Sequence, residues 1–519
     1  MQMPRFTGKA GLLAVLFAAG CQSLDVTNPN LPDARRALAD PAALEGIAAG
    51  TLATWYNTWE DMESAGALSA MARTYSASWN NFNLNFYSSV DGDNTRNSRA
   101  WQNDLASAGR TNVENGWFGY YSAISSATDV LKAIRQNNIV IGDASNTRRA
   151  ETIAQLTLGA SHMALALLYD KGYVITESSD LTNLVFADRR VMRDSAVAFL
   201  QRAATLAAAN TFTTPADWTG GRVYSNTEIA RIANTLSAMA LAYWPRTSAE
   251  NASVDWARVA TFASNGVTFD FDFIADGCSV FCPEILLWFN SMDTGVVHTR
   301  VANLLDPATQ QTPYPSGGNP RPNSPDRRLG NGSFGTAAMV DAFGNIPRDA
   351  GGGSDFAYGG YELFNPARGM YHQSNVAHIR YDASGVQSPQ SMYGGFGRAP
   401  AFTRASNDLL WAEAELRRTG GSLTNAASLI NGTRVTRGGL PAAAASDGQA
   451  VLLQRLEYEQ EVELLGLGPS PFYQRRRATN GLITGTPREM PVPARELGVT
   501  GAAFYTWGGT GAANSPTPP

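Results

Sequence analysis

Residues 151–173 read ETIAQLTLGASHMALALLYDKGY. Ile153, Leu156, Ala160, Met163 and Leu167 alternate at spacings of three and four, which sets them on one face of an α-helix. Outward from this stretch the same period recurs. It places Trp117, Tyr120, Tyr121, Ile124 and Leu131 together over 112–133, while residues 33–56 hold Leu38, Leu44, Ile47 and Leu52 among many alanines. It does the same for Phe199, Leu200, Ala203 and Leu206 over 189–208, and for Ile229, Ile232, Leu236, Met239 and Tyr243 over 226–244. Ser225-Asn226-Thr227-Glu228 is a capping box that starts the last of these, and Pro245 ends it. A short helix is expected at 254–265, stopped by Gly266. The chain from Pro32 to about Val267 is thus helix after helix, in pairs that are similar to tetratricopeptide pairs but show no 34-residue period.

From Phe269 to Ala401 the character changes to Gly, Pro, Ser, Asn and aromatic residues. That is too long for one loop in a compact domain, so short helices and hairpins are expected there, on a functional surface. Helical patterns return at 404–418, 423–432 and 449–466. The fold class is mostly α, with a loop-rich region of short strands.

The 519 residues are 44% hydrophobic and 16% charged, which excludes a disordered chain. The net charge of −5 disfavours nucleic acid as a partner. Arg5 and Lys9 precede an apolar run, Ala10 to Ala19, that ends in Ala18-Ala19-Gly20-Cys21. This is the layout of a lipoprotein signal peptide over residues 1–20, with Cys21 as the lipidated N-terminus. Loss of Arg5 and Lys9 with the leader takes the net charge from −5 to −7. The anchor would hold an aqueous body on a membrane by its acyl chains alone. Cys278 and Cys282, spaced C-x3-C, are expected to form a local disulfide in an exported chain.

The order of motifs resembles the SusD/RagB family of outer-membrane nutrient-binding lipoproteins. Cys21-Gln22-Ser23-Leu24-Asp25, followed by Asn28-Pro29-Asn30, is similar to the family's start. Trp117 to Ile134 and Glu151 to Tyr173 resemble two of its helices, and Pro283-Glu284-Ile285-Leu286-Leu287 one of its strands. Ser324-Pro325-Asp326-Arg327-Arg328 is similar to its D-P-R turn. Arg404 to Glu415, Ile430 to Gly439, Glu457 to Leu464 and Pro491 to Leu497 look like its C-terminal motifs. Asp408 stands where Glu is usual, and Gly466-Leu467-Gly468 lacks the expected Arg, so the chain reads as a divergent member.

The resemblance implies an N-terminal SusD-like helical region over 21–268, and a C-terminal region over 269–519 packed on it as one body. It implies a lipid-anchored protein of the outer membrane, exposed at the cell surface, that captures an oligosaccharide or peptide. Its implied partner is a SusC-like TonB-dependent transporter. Glu413 and Glu415 with Arg417 and Arg434 are expected to tie the two halves by ion pairs.

Sugars are held by aromatic faces flanked by Asn, Asp and Arg side chains. Two stretches fit: Trp79, Asn80, Phe82 and Tyr87 leading through Asp91 and Asp93 to Trp101, and Trp288 with Tyr314, extended by Tyr358 and Tyr361. Asp91-Gly92-Asp93-Asn94 lacks the later Gly and Glu of a calcium loop, so hydroxyl binding is the reading there. His162 lies in an apolar helix and reads as a core residue. The chain has no H-E-x-x-H, G-x-S-x-G or P-loop lysine motif, and no catalytic residue, metal ligand or cofactor is assigned. The alternatives are an exported glycan-active hydrolase and a tetratricopeptide-like envelope scaffold without a small ligand.

Overall fold

A computed structural model of the chain describes residues 38–77, 80–88, 100–289, 294–329, 353–358, 372–383, 395–479 and 481–509. The leader, Cys21, Trp79, Asp91, Asp93 and Tyr361 lie outside these residues. No described helix is long and apolar enough to cross a membrane.

Among the described residues, the longest helices of the first half are α1 (Pro41–Trp59), α2 (Thr111–Arg135), α3 (Ala144–Leu168), α4 (Arg189–Ala209), α5 (Asn226–Ala242) and α6 (Trp256–Ser264). Each packs on the next, and α3 touches α1, α2, α4 and α5. That centrality explains the opening stretch: every residue from Ala150 to Leu168 is buried, the pattern of a helix enclosed on all sides. Gly159 lets α4 approach, since a Cβ there would come within 2.8 Å of Leu200 Cγ. His162 is a satisfied core residue. Its Nε2 accepts from Ile175 N (3.1 Å), so Nδ1 carries the proton given to Leu158 O (2.7 Å). Helix α5 starts at the expected box: Ser225 N donates to Glu228 Oε2 (2.8 Å) and Glu228 N to Ser225 Oγ (3.3 Å).

The second half closes over these helices. Strand β1 (Phe271–Asp276) pairs antiparallel with β2 (Phe396–Phe402). Phe273 stacks on Tyr56 of α1 at 4.1 Å. The turn after β1 holds the expected disulfide, Cys278–Cys282, with Gly277 and Cys278 both in the left-handed region (φ 72° and 68°). Residues 284–287, likened above to a strand, form a helix instead, α7 (Glu284–Trp288). Leu287 N donates to Pro283 O and Phe289 N to Ile285 O, while Ile285 and Leu286 turn into the core. Helices α8 (Arg404–Arg417), α9 (Leu423–Arg434), α10 (Gly448–Glu463) and α11 (Ser470–Arg476) follow, with α8 packed on α6, α9 and α10. The largest apolar cluster runs from Leu44 to Leu497 and draws on both halves.

The ion pairs differ from expectation. Glu413 pairs with Arg417 and Arg477, Glu415 with Arg418, and Arg434 with Glu459, all within the C-terminal helices. The ties between halves run through other buried arginines. Arg246 and Arg189 reach Glu489, and Arg476 donates to Leu167 O and Tyr243 O.

Candidate functional site

The site begins where α1 gives way to a wide turn. Met62–Gly66 forms a single π turn, a local form frequent at functional sites, capped by Asp61 accepting from Ser64 N at 2.7 Å. Glu284 of α7 accepts from Met62 N at 2.8 Å, and Ile285 N donates to Glu60 O, so α7 is pinned to this turn. Beside it, Phe82 and Asn83 adopt left-handed backbone (φ 51° and 62°). For a bulky residue such as Phe82 that conformation is strained, and it persists only where surrounding contacts hold it.

Asparagines supply those contacts. Asn112 of α2 donates through Nδ2 to Glu63 O (2.6 Å) and Phe82 O (3.0 Å) and accepts from Asn83 Nδ2 (3.2 Å). Asn80 accepts from Phe86 N (3.2 Å) and donates to Asn83 Oδ1 (3.3 Å). The result is an aromatic pair: the half-buried rings of Phe82 and Trp288 sit 6.0 Å apart at 48°.

Asp61, Glu63 and Glu284 complete the arrangement, with ligand atoms all within 4.8 Å of one another. Burial pushes the Asp61 carboxyl well above its ordinary value, reinforced by the charges of Glu63 and Glu284. Burial also raises Glu284, with Glu63 adding to it against the Met62 hydrogen bond. Asn115 Nδ2 donates to Asp61 at 3.2 Å. Such oxygen donors suit a hard cation or the hydroxyls of a polar ligand, and acidic groups also gather this way without an ion.

No family model matches the chain, and no curated protein does. Solved structures do. A SusD superfamily protein of Bacteroides vulgatus ATCC 8482 is similar at TM-score 0.54 and 12% identity, over 89% of this chain and 97% of that one. The chain has the SusD fold. A SusD-like protein of Bacteroides fragilis NCTC 9343 (TM-score 0.53, 13% identity, 85% of this chain and 86% of that one) agrees. So does a SusD superfamily protein of Bacteroides thetaiotaomicron VPI-5482 (0.51, 13%, 85% and 91%).

Within this SusD fold the sequence-derived candidates separate by burial. Phe82 and Trp288 come together, with Asn80 exposed beside them. Tyr87 and Trp101 do not present faces to solvent. Their rings pack at 5.1 Å, both are buried, and Trp101 Nε1 donates to Glu489 O at 2.8 Å. Those two aromatics pack onto the body. Tyr314 is likewise buried, in the 310–320 turn held by Gln311 N donating to Asn319 Oδ1. Tyr358 is half-buried against the same apolar cluster as Phe82 and Trp288. Asp61, Glu63, Glu284, Asn112 and Asn115 were not among the candidates. Only Glu284 stood in a quoted motif, and there as part of a strand.

Proposed function

We propose that the chain is a cell-surface lipoprotein, anchored through Cys21 to the outer membrane, that captures an oligosaccharide and delivers it to a TonB-dependent transporter. The observation that carries this reading is the Phe82–Trp288 pair, held by a strained backbone among side-chain amides and carboxylates. Aromatic faces stack on sugar C–H surfaces while amides and carboxylates bond hydroxyls. Asn80 is exposed beside the pair, and Trp79, Asp91 and Asp93 of the same sequence segment are proposed as ligand contacts from their residue types alone. Mechanism is binding followed by transfer, without bond chemistry. The SusD fold supports the reading, and so does the resemblance of the motifs to the nutrient-binding family.

The test is calorimetric titration of the mature chain with a panel of oligosaccharides, alongside Trp288→Ala. Binding by the parent chain and a loss of about tenfold or more in Trp288→Ala are expected. Undiminished affinity in the variant would refute the site, and hydrolysis of any panel member would refute the mechanism. Capture of a TonB-dependent transporter with the tagged lipoprotein from outer membranes tests the delivery step.

A further inference from the structure

A second concavity lies far along the chain from the aromatic pair. It is a cavity of about 380 Å³ between the short helix Ser248–Ala252 and helices α8, α10 and α11. That volume falls within the range of small-ligand sites.

Its floor is a closed network of buried groups. Arg477 donates to Glu413 through Nη1 (2.9 Å) and Nη2 (2.5 Å), and to Asn251 Oδ1 (3.1 Å). Gln474 donates to Gln460 (2.7 Å), and Gln460 to Glu413 (3.0 Å). Arg417 Nε adds a fourth donor to Glu413 at 2.7 Å. Glu413 and Arg477 therefore satisfy each other and leave the floor neutral and rigid.

The rim is different. Arg417 and Glu457 both line the cavity, yet no ion pair joins them. Among the described residues, the two terminal nitrogens of Arg417 and the carboxylate of Glu457 make no hydrogen bond. Opposite charges thus face one cavity without meeting across it. Partial burial raises the Glu457 carboxyl and Glu461 raises it further, while Arg475 and Arg417 act in the opposite direction. Leu453 and Leu456 give one apolar wall. The lining holds no aromatic ring, so the stacking that defines a sugar site is missing.

We propose that this cavity is a second binding site, for a free apolar α-amino acid, its carboxylate on Arg417, its ammonium on Glu457 and its side chain on Leu453 and Leu456. One dipolar ligand would set its carboxylate on the terminal nitrogens of Arg417, which make no hydrogen bond among the described residues while Nε holds Glu413, and its ammonium on Glu457. The site is independent of the aromatic face and stands or falls separately from it.

L-leucine is the probe, titrated into the mature chain by calorimetry and followed by thermal shift. N-acetyl-leucine, leucinamide and glucose serve as comparisons. A saturable leucine isotherm is expected, weakened about tenfold or more by masking either charge, as loss of a charge-assisted hydrogen bond does. Glu457→Gln, an exposed site whose circular dichroism should match the parent, should weaken leucine to the same degree, as should Arg417→Gln. No heat or shift with leucine, equal binding of the masked forms, a preference for glucose, or full affinity in Glu457→Gln would each overturn the proposal.

Discussion

At the scale of single residues, the two that matter most carry their cost in different currencies. Phe82 sits in backbone that asparagine adopts far more readily. Phe82→Asn should therefore leave the thermal midpoint nearly unchanged while removing one ring of the aromatic pair. An aromatic contact contributes about 0.5–1.5 kcal/mol, so oligosaccharide affinity should fall by up to about tenfold. A fall in stability matching the fall in affinity would assign Phe82 to packing alone. Arg328 is the opposite case. It is fully buried and donates to Asp326 (2.7 Å), Glu459 (2.7 Å) and Glu463 (2.9 Å). Arg328→Leu leaves three buried carboxylates short of their shared cation. Urea unfolding should show a loss of about 3–5 kcal/mol, the range for breaking a buried pair from one side.

At the scale of elements, the contact between α3 and α4 depends on the absence of one methyl group. In Gly159→Ala the new Cβ would meet Leu200 Cγ at 2.8 Å and the backbone nitrogen of Leu200 at 2.9 Å. Alanine favours a helix over glycine by up to about 1 kcal/mol. Overpacking against backbone costs about 1–3 kcal/mol, so a net loss of stability is expected in chemical denaturation, and a gain would show that α4 moves away freely. The helices were legible because their signals are local: the 3-4 spacing over 151–173, and a cap and its Glu three residues apart at Ser225 and Glu228. Residues 284–287 were not, since a short apolar run fits a strand or a helix equally. There the decision came from Met62, 222 residues away, whose amide holds Glu284. The same distance hid the Asp61–Glu63–Glu284 group. Tyr87 and Trp101 show the other limit: an aromatic stretch does not state which rings face water, because burial is set by what packs on it. Phe82 and Trp288 each drew notice by type, but only the fold puts them side by side.

At the scale of the whole molecule, opposed groups shape the response to pH. Burial pushes Asp170 up to about 7, even with Tyr505 Oη donating to it at 2.8 Å, and likewise pushes Asp272 up to about 7. Aspartates in the unfolded chain titrate near 3.9, so these two contribute stability at low pH that is lost as pH rises from about 4 through 7. Burial lowers His162 to about 4 and His378 to about 3. Unfolded histidine titrates near 6.5, so their contribution is present above that value and is lost as pH falls below it. Burial works to raise Glu413, but Arg477 and Arg417 hold it at about 2, and its contribution disappears as pH falls from about 4 toward 2. Between about 4.5 and 6.5 the two histidines offset Asp170 and Asp272, which leaves the raised carboxyls of Asp61 and Glu284 to lower the thermal midpoint as pH rises. Below about 4 the contribution of His162 is already lost, and the midpoint should fall as those of His378 and Glu413 are lost. Asp170 also marks where the C-terminal segment closes on the body, since Trp507 O accepts from Trp101 N and Tyr505 O from Asn103 Nδ2. Asp170→Asn keeps the uncharged shape at every pH. Its midpoint relative to the parent should therefore climb by several degrees between pH 4 and 8, as read by scanning calorimetry. Parallel profiles for the two proteins would mean that Asp170 is already ionised in the folded chain at pH 4, and that the closure does not depend on its proton.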